Sequence, residues 1–303
     1  MVRMAATPAP SRKGTVPFGP YKTWYRVTGD LGGDRPPVVV LHGGPGSTHD
    51  YLLRLALLSE EGWPVVHYDQ LGNGGSTHLR DRGADFWTPE LFLDELDNLL
   101  EALDIADRYV LFGQSWGGVL GAAHAARTPA GLVGLVVANS PASYPLWLEE
   151  LDELRKALPP GVDEVLRRHE AAGTTHRAEY QEASGVFYQR HVCRLTSLPS
   201  DLTATFMELN TNPTVYGAMN GPNEFHITGT LKDFSLIPEL PSITAPTLVV
   251  RGEHDEVTAA AIAPFHELVP GARLEVVPDA SHLPHLENPD RFDQVLLEFL
   301  KGL

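Results

Sequence analysis

The chain has 303 residues, of which 43% are hydrophobic and 20% are charged, as is typical of a globular protein with a sizeable core. Its 39 acidic residues exceed its 23 basic residues, and the formal net charge is -16. Nucleic acids and anionic membranes select for basic surfaces, so we expect neither as a partner, whereas cationic ligands would be attracted. No uncharged apolar stretch reaches the roughly 18 residues of a membrane span.

The cysteine content and the N-terminal residues bear on the compartment. Cys193 is the only cysteine, which excludes a disulfide framework and a cysteine metal cluster and is typical of a reducing compartment. Residues 1–15 lack the apolar segment of a secretory signal and are rich in alanine, proline and basic residues, so we expect a disordered extension. These features together predict a cytoplasmic protein.

Short apolar runs alternate with helical patterns along most of the chain. Strands are predicted at residues 21–27, 37–41, 65–68, 109–112, 132–137, 247–250 and 274–277, and helices at 91–103 and 292–300. Alternation of this kind predicts an α/β fold with a mostly parallel sheet and helices on both faces.

The alternation stops between about residues 141 and 234. Helical patterns occur there at residues 146–158 and 184–195, prolines separate them, and no strand pattern is present. We therefore predict a core formed by residues 16–140 and 235–303, with a helical cap (lid) inserted at 141–234.

The segment Gly113-Gln114-Ser115-Trp116-Gly117 lies between a predicted strand and a helix rich in small residues. This is the G-x-S-x-G pattern in the strand-turn-helix context of a nucleophile elbow, where the glycines permit a sharp turn that presents the serine hydroxyl. A serine that merely forms a turn is the alternative. The context favours Ser115 as a catalytic nucleophile.

A serine nucleophile needs a base that takes its proton and an acid that orients the base, in the hydrolase order Ser, acid, His. Asp255 follows the predicted strand 247–250, and His282 follows the strand 274–277. Both positions are at the carboxyl ends of strands, where a parallel sheet places its functional loops. His285 is the competing histidine, but it lies nearer the last helix and is interpreted as structural.

An oxyanion-binding loop completes the pattern. His42-Gly43-Gly44-Pro45-Gly46 follows the strand 37–41, and its glycines let a backbone N–H face a developing oxyanion, with the N–H of Trp116 as the second donor. A tight loop that only packs is the alternative. HExxH and other metal-ligand spacings are missing from the sequence, so we expect neither a catalytic metal nor a cofactor.

Six segments together resemble the proline iminopeptidase family of α/β-hydrolases, in particular its tricorn-interacting aminopeptidase and L-proline amide hydrolase branch. They are HGGPG at 42–46, DQLGNGGS at 69–76, GQSWGG at 113–118, NGPNEF at 220–225, GEHDEV at 252–257 and SHLPHLENP at 281–289. The resemblance extends from about residue 20 to the C-terminus. Gln114, directly before the nucleophile, departs from the prolyl-specific members.

The resemblance implies a role for each matching residue. It implies Ser115, Asp255 and His282 as the triad and the N–H groups of Gly44 and Trp116 as the oxyanion hole. It further implies that two glutamates bind the free α-amino group of the substrate; they match Glu224 and Glu256. Without this resemblance, the sequence would favour the interpretation of Glu224 as a solvent-exposed acid on a loop. Glu253 and His254 are interpreted as structural.

The sequence thus predicts a serine hydrolase that cleaves the amide bond after an unblocked N-terminal residue, with proline or a small or apolar L-residue preferred. Its expected substrate is a small peptide or an amino-acid amide with a free amine. Two alternatives remain: an esterase or other small-molecule hydrolase on the same scaffold, and a non-catalytic ligand receptor, because a fold does not dictate function.

Overall fold

A computed structural model describes residues 7–303 of the chain. Its eight strands form one sheet, in the spatial order β1-β2-β4-β3-β5-β6-β7-β8. The strands are β1 (Arg12–Phe18), β2 (Tyr21–Thr28), β3 (Val38–Leu41), β4 (Val65–Asp69), β5 (Tyr109–Gln114), β6 (Leu132–Ala138), β7 (Thr247–Gly252) and β8 (Arg273–Val277). The pairs β1/β2 and β2/β4 are antiparallel, and the other neighbours are parallel. The predicted mostly parallel sheet is confirmed.

The apolar strands at the centre of the sheet are buried on both faces. In β3, Val38 and Val40 belong to one hydrophobic cluster while Val39 and Leu41 belong to the other, as the two-residue period of a strand requires. The helices cover both faces, so almost every strand residue at the centre is shielded from water, which explains the continuous apolar runs in the sequence.

Ten α-helices accompany the sheet in the described part of the chain. They are α1 (Pro89–Ala102), α2 (Trp116–Ala126), α3 (Tyr144–Lys156), α4 (Val162–Ala171), α5 (Ala178–His191), α6 (Ser200–Thr211), α7 (Thr214–Met219), α8 (Ala259–Leu268), α9 (Pro284–Glu287) and α10 (Pro289–Leu300). Thr88 caps α1, and its side chain accepts a hydrogen bond from the N–H of Leu91. None of the helices in residues 7–303 has the length and apolar character needed to cross a membrane.

Five of these helices, α3 to α7, lie between β6 and β7, and residues 141–234 are called the helical insertion below. Arg155 of α3 is buried and forms ion pairs with two acids of α4, Asp163 at 2.7 Å and Glu170 at 3.1 Å. Asn223 donates to the hydroxyl of Tyr180 on α5 (2.5 Å). These contacts bind the helices of the insertion to one another.

The prediction that residues 1–15 form a disordered extension is wrong for residues 12–15. Residues 12–15 belong to β1, where Arg12 pairs with Val27 and Thr15 with Trp24. The segment lacks an apolar run because β1 is an edge strand: most of its residues are exposed or half-buried, and only Val16 is buried. Residues 1–6 of the predicted extension lie outside the described residues.

Candidate active site

The turn from β5 to α2 holds Ser115 in an unusual backbone conformation. Its φ and ψ are 56° and −126°, a region that side-chain-bearing residues rarely adopt. A Cβ atom on Gly117 would overlap the carbonyl oxygen of Leu41, and one on Gly113 would overlap the carbonyl oxygen of Gly117. The two glycines of the G-x-S-x-G pattern are therefore required by the close approach of α2 to the sheet, and the turn places the serine at the start of the helix.

Asp255 and His282 meet beyond the carboxyl ends of β7 and β8. The imidazole Nδ1 lies 2.8 Å from Asp255 Oδ1, and because a carboxylate only accepts, Nδ1 carries the donated proton. The other oxygen, Oδ2, accepts from the Asn139 side chain at 2.6 Å, and the N–H of Val257 donates to Oδ1 at 3.0 Å. The acid is thus fully partnered, and it fixes the orientation of the ring.

Ser115 and His282 line the same small cavity of about 50 Å³, together with Gly44, Glu224 and Gln114. The Ser115 hydroxyl makes no hydrogen bond to another residue in the described range 7–303. The structure therefore brings the predicted nucleophile and base to one cavity, with the hydroxyl unpartnered there. Serine–histidine hydrogen bonds are often long or poorly aligned without substrate and tighten in the complex.

The two amides predicted to form an oxyanion hole lie next to Ser115: Gly44 lines the same cavity, and Trp116 is the next residue. Gly44 has a φ of 109°, and neither its N–H nor that of Trp116 donates to another residue in the part of the chain described here. The N–H of the preceding Gly43 is occupied, because it donates to the Tyr51 hydroxyl at 2.8 Å. Of the adjacent amides of Gly43 and Gly44, that of Gly44 is thus the one left available for a ligand.

Glu224 and Glu256 approach His282, the predicted base, from different parts of the chain. Glu256 follows Asp255 on the loop after β7, is completely buried, and places Oε1 3.7 Å from His282 Nε2. Neither of its carboxylate oxygens has a hydrogen-bond partner in residues 7–303. Glu224 belongs to the helical insertion and accepts from the Tyr216 hydroxyl at 2.6 Å.

The charges at this site are unbalanced. Burial raises the pKa of Glu256 well above its usual value, and the nearby Glu224 raises it further; burial likewise raises the pKa of Glu224. Burial by itself lowers the pKa of His282, but the surrounding carboxylates outweigh burial and raise it to about 9. Among residues 7–303, no lysine or arginine lines the small cavity. An arrangement of three acids around one imidazole is suited to a cationic ligand.

A larger cavity of about 570 Å³ adjoins the small one, since both are lined by Glu224. It lies within the helical insertion and has mainly apolar and uncharged polar walls, which include Tyr188, Leu209, Pro213 and Tyr216. A substrate anchored at Glu224 would therefore meet a largely uncharged surface on the insertion side.

Comparison with known proteins identifies the group to which this arrangement belongs. The family described as alpha/beta hydrolase fold matches residues 36–289. The proline iminopeptidase of Saccharolobus solfataricus is 37% identical over 280 residues, which cover 92% of this chain and 88% of that protein. The enzyme of the same name from Thermoplasma volcanium is 34% identical over 88% of this chain and 90% of its own length. The chain belongs to the proline iminopeptidase family of α/β-hydrolases.

Solved structures agree with this assignment. The proline iminopeptidase of Mycobacterium smegmatis has 48% identity and a TM-score of 0.89, covering 96% of this chain and 98% of that one. The crystal structure of VinJ has 63% identity and a TM-score of 0.96, covering 97% of this chain and 100% of that one. The expected resemblance is confirmed, as is the expected hydrolase fold.

Within this family fold, the sequence analysis missed the supporting roles of two residues, Asn139 and Gln114. Asn139 has a φ of 54°, and its side chain donates to Asp255, the predicted triad acid. Gln114 accepts from the Tyr51 hydroxyl at 2.5 Å and donates to the carbonyl of His282 at 3.0 Å. Through Tyr51, Gln114 thus links the loop of residues 42–46 to the loop of His282. In the sequence, only its position beside Ser115 could have suggested this role.

The remaining candidates have structural partners. His285 is buried, bonds the carbonyl of Tyr51 through Nε2 at 3.0 Å, and has a pKa lowered to about 3 by burial. Glu253 and His254 bring ligand atoms within 4.8 Å of one another and of Asp279, but this group is partly exposed, and exposed acidic groups commonly cluster in this way. The interpretation of these residues as structural remains unchanged.

Proposed function

We propose that the chain is a serine aminopeptidase or amidase that cleaves the amide bond after an unblocked N-terminal residue, with proline or a small or apolar L-residue preferred. The observation that carries this proposal is the pair of acids beside the nucleophile: Glu256 is completely buried and has no hydrogen-bond partner in residues 7–303, and the half-buried Glu224 lines the cavity of Ser115. Buried carboxylates without partners are costly and call for a cation. The substrate's ammonium supplies that charge.

The catalytic roles follow from the geometry. Ser115 attacks the carbonyl carbon while His282 takes the hydroxyl proton, and the acyl-enzyme forms when the imidazolium returns that proton to the leaving amine. Asp255 orients the ring and stabilises its positive charge. The amides of Gly44 and Trp116 stabilise the oxyanion. Water, activated by the same histidine, then releases the amino acid.

Residues 141–234 act in this proposal as a cap over the core formed by residues 16–140 and 235–303. Two contacts support this role: Trp147 of α3 donates through Nε1 to the carbonyl of Glu256 at 3.1 Å, and the N–H of Glu256 donates to the carbonyl of His191 on α5 at 3.1 Å. The insertion therefore holds the backbone of one amine-binding acid and supplies the other. A cytoplasmic location remains a prediction.

The proposal is tested with three substrates. Proline p-nitroanilide should be cleaved, whereas N-acetylproline p-nitroanilide, which has no ammonium, should have a kcat/KM lower by at least roughly 10²-fold because its blocked nitrogen leaves the acids unpaired. An esterase would instead hydrolyse p-nitrophenyl acetate with a much higher kcat/KM than either anilide. A receptor without catalytic function would fail to react with a fluorophosphonate at Ser115.

A further inference from the structure

The catalytic histidine has an acid at each ring nitrogen. Asp255 occupies the Nδ1 side at 2.8 Å, and Glu256 lies 3.7 Å from Nε2, the atom that must accept the proton of Ser115. In residues 7–303, the Glu256 side chain has no hydrogen-bond partner. The Ser115 hydroxyl makes no hydrogen bond to another residue in that range either. The nitrogen needed for catalysis thus faces a buried carboxylate.

We propose that Glu256 keeps His282 protonated in the empty site, and that the ammonium of a substrate displaces this proton by taking over the carboxylate. This inference rests on the proposed function, in which that carboxylate binds the amine. The charges balance: an imidazolium–carboxylate pair becomes an ammonium–carboxylate pair, and one proton passes from Nε2 through the cavity to solvent. The base becomes competent only when an amine is in place.

Among the described groups around the His282 ring, only the ring itself can carry a positive charge that balances the surrounding acids. From the loop after β7 come Asp255 and Glu256, and from the insertion comes Glu224; the remaining titratable neighbours are His285, Tyr51 and His191. Burial lowers the pKa of His285 and of His191 and raises that of Tyr51, so all three are neutral near pH 7. The imidazolium is therefore the available cation, and it opposes the rise that burial causes in the pKa of Glu256. The carboxylates in turn outweigh burial, which lowers the pKa of His282, and raise that pKa to about 9.

A bound ammonium reverses this balance. Its positive charge cancels the field of Glu256 and Glu224 at Nε2, and the pKa of His282 falls toward its ordinary value. A neutral imidazole is the form that accepts a proton from Ser115. A neutral ester cannot bring about this change, so it must react with the small fraction of enzyme whose base is already unprotonated.

The first arm of the test measures kcat/KM for p-nitrophenyl acetate against pH, which avoids any titration of the substrate. The wild type should show its inflection near pH 9, in keeping with the raised pKa of the base. Glu256→Gln should lower the inflection by at least about one pH unit and raise ester turnover at pH 7 by roughly three- to tenfold. Glu253→Gln, on the same loop and half exposed, is the matched control and should keep the wild-type profile.

The second arm requires no variant and so does not depend on whether Glu256→Gln folds. Calorimetry of L-prolinol binding to the wild type, in two buffers of different ionisation enthalpy at about pH 8, should report release of more than about half a proton per molecule bound. Tetrahydrofurfuryl alcohol, a neutral analogue of similar shape, should release none.

The two arms separate the inference from the function beneath it. Prolinol binding without proton release, or an ester inflection that Glu256→Gln leaves at the wild-type pH, overturns the coupling while amine recognition stands. Absence of both prolinol binding and proline anilide cleavage overturns the proposed function, and with it the displacement of the proton by a substrate. An upward shift of the inflection in Glu256→Gln would also contradict the inference.

Discussion

The two halves of the site differ in how their polar groups are satisfied. On the sheet side, Asp255 has bonds to His282, Asn139 and the N–H of Val257. On the amine side, the Glu256 side chain has no hydrogen-bond partner in residues 7–303, and that of Glu224 has only the hydroxyl of Tyr216. The first half is complete without substrate, whereas the second requires a ligand.

This difference assigns separate tasks to the two halves. A partnered acid, a fixed ring and two free amides provide acyl-transfer chemistry that does not depend on what the acyl group carries. A buried acid without a hydrogen bond, such as Glu256, costs stability in the empty protein, and that cost is offset when an ammonium binds. Changes on the sheet side should therefore slow all substrates, whereas changes on the amine side should slow mainly those with a free amine.

Ser115→Ala should have the largest effect. Without the nucleophile, turnover of both proline p-nitroanilide and p-nitrophenyl acetate should fall by at least about 10³-fold, because only binding and the oxyanion hole remain. Binding of L-prolinol should persist. The exposed Ser200→Ala serves as the control in the same assays. Retained turnover above a few per cent would show that another group attacks the carbonyl.

Asp255→Asn should slow both substrates by a similar factor, on the order of 10²- to 10⁴-fold, because an amide can hold the imidazole in the wrong tautomer and cannot stabilise its charge. The measurement is kcat for the anilide and for the ester, with the exposed Asp107→Asn as the control. A loss confined to the anilide would place Asp255 in amine recognition instead, and the division between the two halves would fail.

The sheet side is also the half that the sequence predicts well. Seven strands, the elbow at Ser115, and the loops of Asp255 and His282 follow from local periodicity and from the rule that functional residues lie at the carboxyl ends of parallel strands. Both are properties of short segments. The edge strand β1 was missed because pairing with β2, and not an apolar run, determines it.

The amine side depends on contacts between distant segments, which local patterns do not encode. Glu224 and Glu256 are separated along the chain by β7 and the residues before it, and only the resemblance to a known family suggested that they act together. The bonds of Gln114 to Tyr51 and to the carbonyl of His282 span 63 and 168 residues. Such links arise from packing of the whole fold.

Glu224→Gln tests the amine side directly. Loss of one carboxylate from a buried ammonium site costs on the order of 2 to 5 kcal/mol, so kcat/KM for proline p-nitroanilide should fall by roughly 30-fold to a few thousandfold. p-Nitrophenyl acetate, which has no ammonium, should lose much less. Glu239→Gln, exposed and outside both cavities, is the control. Equal losses for the two substrates would mean that Glu224 supports the catalytic machinery in general.

Tyr216→Phe should have the smallest effect, because it removes one hydrogen bond and leaves both acids in place. The Tyr216 hydroxyl donates to Glu224 Oε1 at 2.6 Å. This bond partly offsets the larger effect of burial, which raises the pKa of Glu224, so its loss should raise that pKa further. A bond to a charged group contributes about 1.5 to 3 kcal/mol, but the substrate's ammonium replaces part of it, so we expect KM for proline p-nitroanilide to rise roughly three- to tenfold near pH 7.

The sign of the pH dependence distinguishes this electrostatic role from simple packing. A carboxylate with a raised pKa binds an ammonium above that pKa and loses it as the pH falls through it, so the variant should lose binding at a higher pH than the wild type. The measurement is KM for the anilide against pH, with kcat for p-nitrophenyl acetate expected to change little. A KM raised equally at every pH would indicate that Tyr216 only shapes the cavity, and that Glu224 owes its ionisation to the bound amine alone.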